Sequence, residues 1–126
     1  MLDKAKIIEL VANLNLPNNE YWLSAGAGLV LHGVKEFTQD IDIGCTTKLI
    51  EMLLHDNLPL LFASDGTRKT KLGDSIEFFE NWYADEVEII DGISVASLLS
   101  IRKHKAALGR EKDLQDIVLI DSYVSN

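Results

Sequence analysis

Apolar residues at positions 7, 10, 11 and 14 recur at the spacing of one helical face, so residues 3–14 predict an amphipathic helix. Asp3 supplies an oxygen that can cap its free amides. Leu16-Pro17-Asn18-Asn19 is a turn by composition. Tyr21 to Ser24 reads as a short apolar strand. The small residues Ala25-Gly26-Ala27-Gly28 then turn the chain into a short apolar helix, Leu29 to His32, stopped by Gly33. Asp40-Ile41-Asp42-Ile43 alternates strictly, which is the period of a half-buried strand: Asp40 and Asp42 share one face, Ile41 and Ile43 the other. A helix over residues 48–55 follows, capped by Thr46 or Thr47, with Ile50, Leu53 and Leu54 on its apolar side.

The second half of the chain continues in short elements. Leu60 to Ala63 is a strand candidate, residues 64–67 a turn, and Thr70 to Leu72 the returning arm of a hairpin. Ser75 to Trp82 is a strand with Glu77 and Phe79 on one face and Ile76 and Phe78 on the other; Glu80 would take Glu77's place if that register slipped. Val87–Ile90 and Ile93–Val95 flank an Asp91-Gly92 turn and form a hairpin. Ser94 or Ser97 opens a helix carrying Leu98, Leu99 and Ile101, which ends near the natural C-cap Gly109. Residues 111–124 form a last helix, with Leu114, Ile117, Val118 and Val124 turned inward. The expectation is a single α/β (α+β) domain over residues 1–126: a small mixed sheet, packed helices and a C-terminal helix pair.

Composition narrows the classes. At 47% hydrophobic the 126 residues can bury a real core, and no apolar run approaches the roughly 20 residues that span a bilayer. The first residues read as a helix of the mature protein and not as a signal peptide. A single Cys45 rules out an internal disulfide and fits a reducing cytoplasm; its own reading is a small apolar strand-end residue. The net charge of −8 makes the chain a poor general binder of nucleic acid phosphates. Positive charge is nevertheless clustered: Arg68, Lys69 and Lys71 in one group, Arg102, Lys103, Lys105, Arg110 and Lys112 in another. The second group suits the rim of an anion site. The first reads as ordinary solvated surface.

Asp40 and Asp42 carry the sharpest chemistry. Two carboxylates on one strand face repel, which is costly unless they face water or share a cation. One reading is therefore the solvated face of an edge strand. The other is a divalent-metal site beside a glycine-rich turn, an arrangement that suits a phosphate-bearing ligand.

The order of parts resembles the nucleotidyltransferase superfamily, in particular its small bacterial members of the minimal, toxin–antitoxin and antibiotic-modifying types. The resemblance rests on a strand, a small-residue turn with Gly26, a helix ending in His32-Gly33, and Thr38-x-Asp40-Ile41-Asp42. It continues at the far end of the chain, where Lys105-Ala-Ala-Leu-Gly109-Arg110-Glu-Lys112-Asp113 with Asp116 is similar to the family's C-terminal signature, so nearly the whole chain is covered. Two places depart from the pattern. Ala25 stands where the turn usually begins with glycine, and Glu36 where an arginine usually precedes the threonine, with Lys35 beside it.

The resemblance implies a nucleotidyltransferase-like fold and transfer of a nucleoside monophosphate from a nucleoside triphosphate, ATP first among candidates, to an acceptor hydroxyl. It implies two Mg²⁺ ions, or Mn²⁺, held by Asp40, Asp42 and Glu77, the last being the third carboxylate on a hydrophobic-acid-hydrophobic strand. Ala25, Gly26 and Lys105 would hold the nucleotide's phosphates. His32 reads as a packed helix-end residue. For Arg110, Asp113 and Asp116 the residues alone favour an ion-pair network that ties the last two helices together. A second implied class is a catalytically inactive protein of this fold that acts, antitoxin-like, by binding a protein partner. A stand-alone metal-binding protein is a third. The acceptor is not readable, and a homodimer is compatible with so short a chain.

Overall fold

The computed structural model describes residues 1–125. Among these residues five helices and seven strands follow one another: α1 (Lys4–Ala12), β1 (Tyr21–Ser24), α2 (Ala25–Leu31), β2 (Ile41–Cys45), α3 (Thr47–His55), β3 (Leu61–Phe62), β4 (Arg68–Leu72), β5 (Ile76–Glu80), β6 (Val87–Ile90), β7 (Ile93–Ala96), α4 (Leu98–Leu108) and α5 (Glu111–Ser125). Local signals set most of these ends. Asp3, Thr46 and Ser97 each accept a backbone N–H from three residues on, at the starts of α1, α3 and α4. Gly109 closes α4 in the left-handed conformation, φ +65°, as a glycine after a helix does.

All seven strands join one sheet in the order β3-β4-β5-β2-β1-β7-β6. Sequence neighbours β3/β4, β4/β5 and β6/β7 pair antiparallel, as does β1 with β2. The two long connections bring β5 parallel to β2 and β7 parallel to β1. The strand of the aspartate motif thus lies in the middle of the sheet, not at an edge.

Each central strand divides its side chains between two faces. Ile41 and Ile43 of β2, Ile76 and Phe78 of β5 and Leu23 of β1 are buried on one of them, where Ile7 and Val11 of α1 and Leu49 and Ile50 of α3 complete the main core. The opposite face is smaller. There Trp22 and Ala96 meet Leu29, Ile101 and Ile120, so α4 and α5 cover only part of it. Gly44 is paired with Trp22 across β1 and β2, and a Cβ at Gly44 would run into the indole ring. That glycine is needed for close approach and not for turning.

Two helices differ from expectation. α2 begins at Ala25, so the small residues lie inside the helix and not before it. Gly28 is buried, and a Cβ there would meet Ile101 at 2.7 Å, which is why small residues line this helix. α5 covers the expected span, but only Asp113 and Ile120 are buried on it; Leu114, Val118 and Val124 are exposed, and Ile117 is half-buried. The helix packs chiefly on α4, and of its apolar side chains Ile120 alone is buried, in the cluster with Leu29, Ala96 and Ile101, so the rest of the expected stripe faces outward. Among the described residues no helix is long and apolar enough to cross a membrane.

Candidate active site

Alternation along two parallel strands brings the acids together. Ile41 and Ile43 commit one face of β2 to the core, and Ile76 and Phe78 do the same for β5. The register pairs Asp42 with Glu77, so both carboxylates emerge side by side on the face away from that core. Asp40 stands just before β2 and is exposed, outside the strand proper. Glu80 is on the other face, bound by Arg68 at 2.7 Å and 2.9 Å and by the Thr47 hydroxyl at 2.8 Å, which hold its carboxyl down to about 2. Glu77, not Glu80, is therefore the acid beside the aspartates.

These acids pay for their proximity in protonation. The Asp42 carboxyl is pushed up to about 6, first by burial and then by the charges of Glu77 and Asp40, while Lys112 and Lys105 pull it the other way. Asp42 makes no side-chain hydrogen bond among the described residues, and its strand partner Ser24 has a buried hydroxyl without one. Glu77 does have a partner: Lys69 Nζ, 3.0 Å away, reaching across from β4.

The acids line one side of a cleft of about 760 Å³. Ala25 and Gly26, at the start of α2, line it beside them, and Lys105 of α4, Arg110 of the α4–α5 connection and Lys112 of α5 reach it as well. Phe79, Trp82 and His104 form an aromatic end, Phe79 and Trp82 stacked with ring centres 4.0 Å apart and His104 edge-on to Trp82 at 4.5 Å. The cationic side is a connected network. Lys105, 5% exposed, gives its ammonium to Asp116 at 2.9 Å and lies 3.5 Å from Asp113. Asp116 also takes Lys35 at 3.3 Å, and Asp113 takes the Arg110 guanidinium at 2.6 Å and 3.2 Å. Burial alone would raise Asp113, but Arg110 and Lys105 outweigh it and hold it below the usual carboxylate range.

The turn carries strain and tight packing together. Ala25 adopts φ +49°, the left-handed region that costs an alanine about 1–2 kcal/mol. A Cβ on Gly26 would lie 2.5 Å from Thr38 Oγ1. Thr38 is itself pinned by a two-way backbone bridge to Leu2, 2.7 Å and 3.0 Å, and its hydroxyl donates to the carbonyl of Asp40 at 3.3 Å. Turn, threonine and first aspartate thus form one packed unit.

No family model matches the chain, nor does any curated protein. Solved structures do. One from Thermotoga maritima, a nucleotidyltransferase by inference, has a TM-score of 0.65 at 14% identity, over 99% of this chain and 97% of its own. The aminoglycoside nucleotidyltransferase ANT(2″)-Ia, in complex with adenylyl-2″-tobramycin, has a TM-score of 0.59 at 17% identity, over 95% of this chain and 86% of its own. The fold is nucleotidyltransferase-like. At such identities the likeness concerns the fold alone, and the residues must speak for the site.

Within this nucleotidyltransferase-like fold, the six residues singled out in sequence all line the same cleft: Asp40, Asp42, Glu77, Ala25, Gly26 and Lys105. His32 is packed, its Nε2 2.8 Å from the Ala96 carbonyl, and Cys45 is wholly buried, with its thiol pushed up to about 12. Lys35 faces the cleft while the neighbouring Glu36 is exposed and does not line it. The two basic clusters separate. Arg102 and Lys103 pair with Asp121 and Asp85 outside the cleft, whereas Lys69, from the group read as plain surface, sits inside it. Nothing in a single sequence distinguishes Lys69 from Lys71, and the β4/β5 register sets Lys71 opposite Glu77; the diagonal reach of the Lys69 side chain to Glu77 is what separates them. The aromatic end and the shared role of Asp116 were also invisible, because they join residues far apart in the chain.

The donor set fits a divalent cation. Asp40, Asp42 and Glu77 are hard oxygen donors, one of them proton-hungry because it is buried and its neighbours are negative, next to a buried hydroxyl without a partner. That fit is one of chemistry: among the described residues, no group of three or more His, Cys, Asp or Glu side chains stands close enough together to hold a metal ion.

Proposed function

We propose that this protein is a nucleotidyltransferase that moves a nucleoside monophosphate from a nucleoside triphosphate to an acceptor hydroxyl. The observation that carries the reading is the register that sets Asp42 opposite Glu77 in a cleft whose other walls hold Lys35, Lys105 and Lys112. A cleft with one acidic and one cationic side matches a magnesium-bound triphosphate, which presents both signs of charge.

Asp40, Asp42 and Glu77 would hold Mg²⁺ or Mn²⁺. When bound, such ions lower the pKa of an attacking hydroxyl and neutralise the departing pyrophosphate. The protein's own groups do the remaining work. Backbone amides at Ala25 and Gly26 take phosphate oxygens, held in place by the Thr38 contact. Lys105 and Lys35 supply positive charge, and their common partner Asp116 fixes where it sits. Lysine at position 35 gives charge without the two-pronged geometry of the usual arginine, so phosphate binding is set by charge more than by shape.

The test is calorimetric titration of ATP, then GTP, CTP and UTP, in Mg²⁺. Metal-dependent binding to wild type that disappears in Asp40→Asn/Asp42→Asn is the expected result. A well-folded wild type that binds no nucleotide would sink the reading in favour of a non-catalytic, partner-binding member of the same fold.

A further inference from the structure

The cleft acids include one whose charge is already answered. Lys69 Nζ lies 3.0 Å from Glu77 Oε2, and both side chains are about one quarter exposed, so the pair is neither free in solvent nor sealed. The Lys69 stem is held as well: β4 pairs Lys69 with Phe79, and the ammonium lies 5.5 Å from the centre of that ring. Lys71, two residues on and opposite Glu77 in the β4/β5 register, is exposed and makes no ion pair among the described residues. Of the cleft's other lysines, 35, 105 and 112, the first two are engaged by Asp116 and Asp113, and Lys112 makes no ion pair among the described residues.

We propose that Lys69 is a built-in competitor for the divalent ion, a tethered ammonium that neutralises Glu77 and must yield it before the third carboxylate can join Asp40 and Asp42. The inference rests on the metal-binding reading given above. A tethered cation of this kind does two things. It lessens the repulsion between Glu77 and Asp42, and it sets a threshold on metal affinity, because a divalent ion must displace one positive charge and then tolerate it nearby. Once displaced, the ammonium remains on the cleft wall, where the triphosphate is the nearest remaining source of negative charge. Metal and nucleotide would then bind with mutual help, each removing a penalty on the other.

The experiment is a titration of Mn²⁺ followed by the electron paramagnetic resonance signal of the free ion, with no nucleotide and no turnover. Lys69→Met keeps the stem over Phe79 and removes the charge; Lys69→Arg keeps the charge. Lys69→Met is expected to bind Mn²⁺ on the order of tenfold more tightly than wild type, and Lys69→Arg about as wild type does. In a Glu77→Gln background the same Lys69→Met change should have a much smaller effect, since the competed ligand is gone. Equal or weaker binding by Lys69→Met would overturn the proposal while leaving the metal site standing. Binding that survives unchanged in Asp40→Asn/Asp42→Asn would instead overturn the metal reading itself, and this inference with it.

Discussion

Asp42 shows what a single residue contributes and what it costs. Its carboxyl titrates near 4 in an unfolded chain and near 6 here, so folding favours the protonated form. The stability this represents is fully present below about pH 4 and is lost as the pH rises through 6. Asp42→Asn should therefore be more stable than wild type by about 2–3 kcal/mol at pH 8, and the advantage should vanish below pH 4. Urea denaturation at several pH values would show it; a difference independent of pH would contradict the assignment. Ala25 and Gly26 make an opposed pair of predictions on adjacent residues. Ala25→Gly relieves the positive φ and should stabilise by about 1 kcal/mol. Gly26→Ala drives a methyl group into Thr38 and should destabilise by about 1–3 kcal/mol, with loss of nucleotide binding because Thr38 leads directly to Asp40. Equal and small effects at both positions, measured by chemical denaturation, would mean that the turn is not strained as described.

At the scale of elements, α5 separates what the chain announces from what packing decides. Its span was legible in sequence, as were the caps Asp3 and Gly109 and, each as one of two candidates, Thr46 and Ser97, because those signals act within a few residues. Its buried side was not, because a helix carrying Leu114, Val118, Leu119, Ile120 and Val124 offers more than one apolar face, and only the position of α4 chooses among them. The start of α2 was missed for a different reason: alanine and glycine look like a turn until Ile101 and Thr38 are seen to require small neighbours. Of the site, the acids followed from alternation within strands, whereas Lys69 and Asp116 depended on pairings between elements. A contrast between neighbours tests the α4–α5 joint. Asp113→Ala leaves Lys105 and Arg110 without their shared partner and should cost about 3 kcal/mol. Leu114→Gln, one residue on and 52% exposed, should fall within about 0.5 kcal/mol of wild type. Similar losses at both would place Leu114 in a contact that this structure does not contain.

The whole molecule carries a net charge of −8, and at the floor of the cleft Glu77 and Asp40 still bear on the buried Asp42 carboxyl. A ligand that neutralises that place should act on the entire fold. At a Mg²⁺ concentration a hundredfold above its dissociation constant, linkage gives about 2.7 kcal/mol, a rise in Tm of about 10 °C for a chain of this size. Scanning calorimetry should show that rise in wild type and not in Asp40→Asn/Asp42→Asn; an equal rise in both would point to binding elsewhere. The parallel pairing of β2 with β5 carries one more consequence, in time. The strands are separated by α3 and the β3/β4 hairpin, so they meet only after a long loop has closed. Asp42 and Glu77 come together as that pairing forms, and their repulsion opposes the docking step itself. A chain that refolds below pH 6, with Asp42 protonated, should close its sheet faster than the same chain at pH 8, and the two carboxylates that crowd the cleft floor would set the pace at which the protein comes to exist.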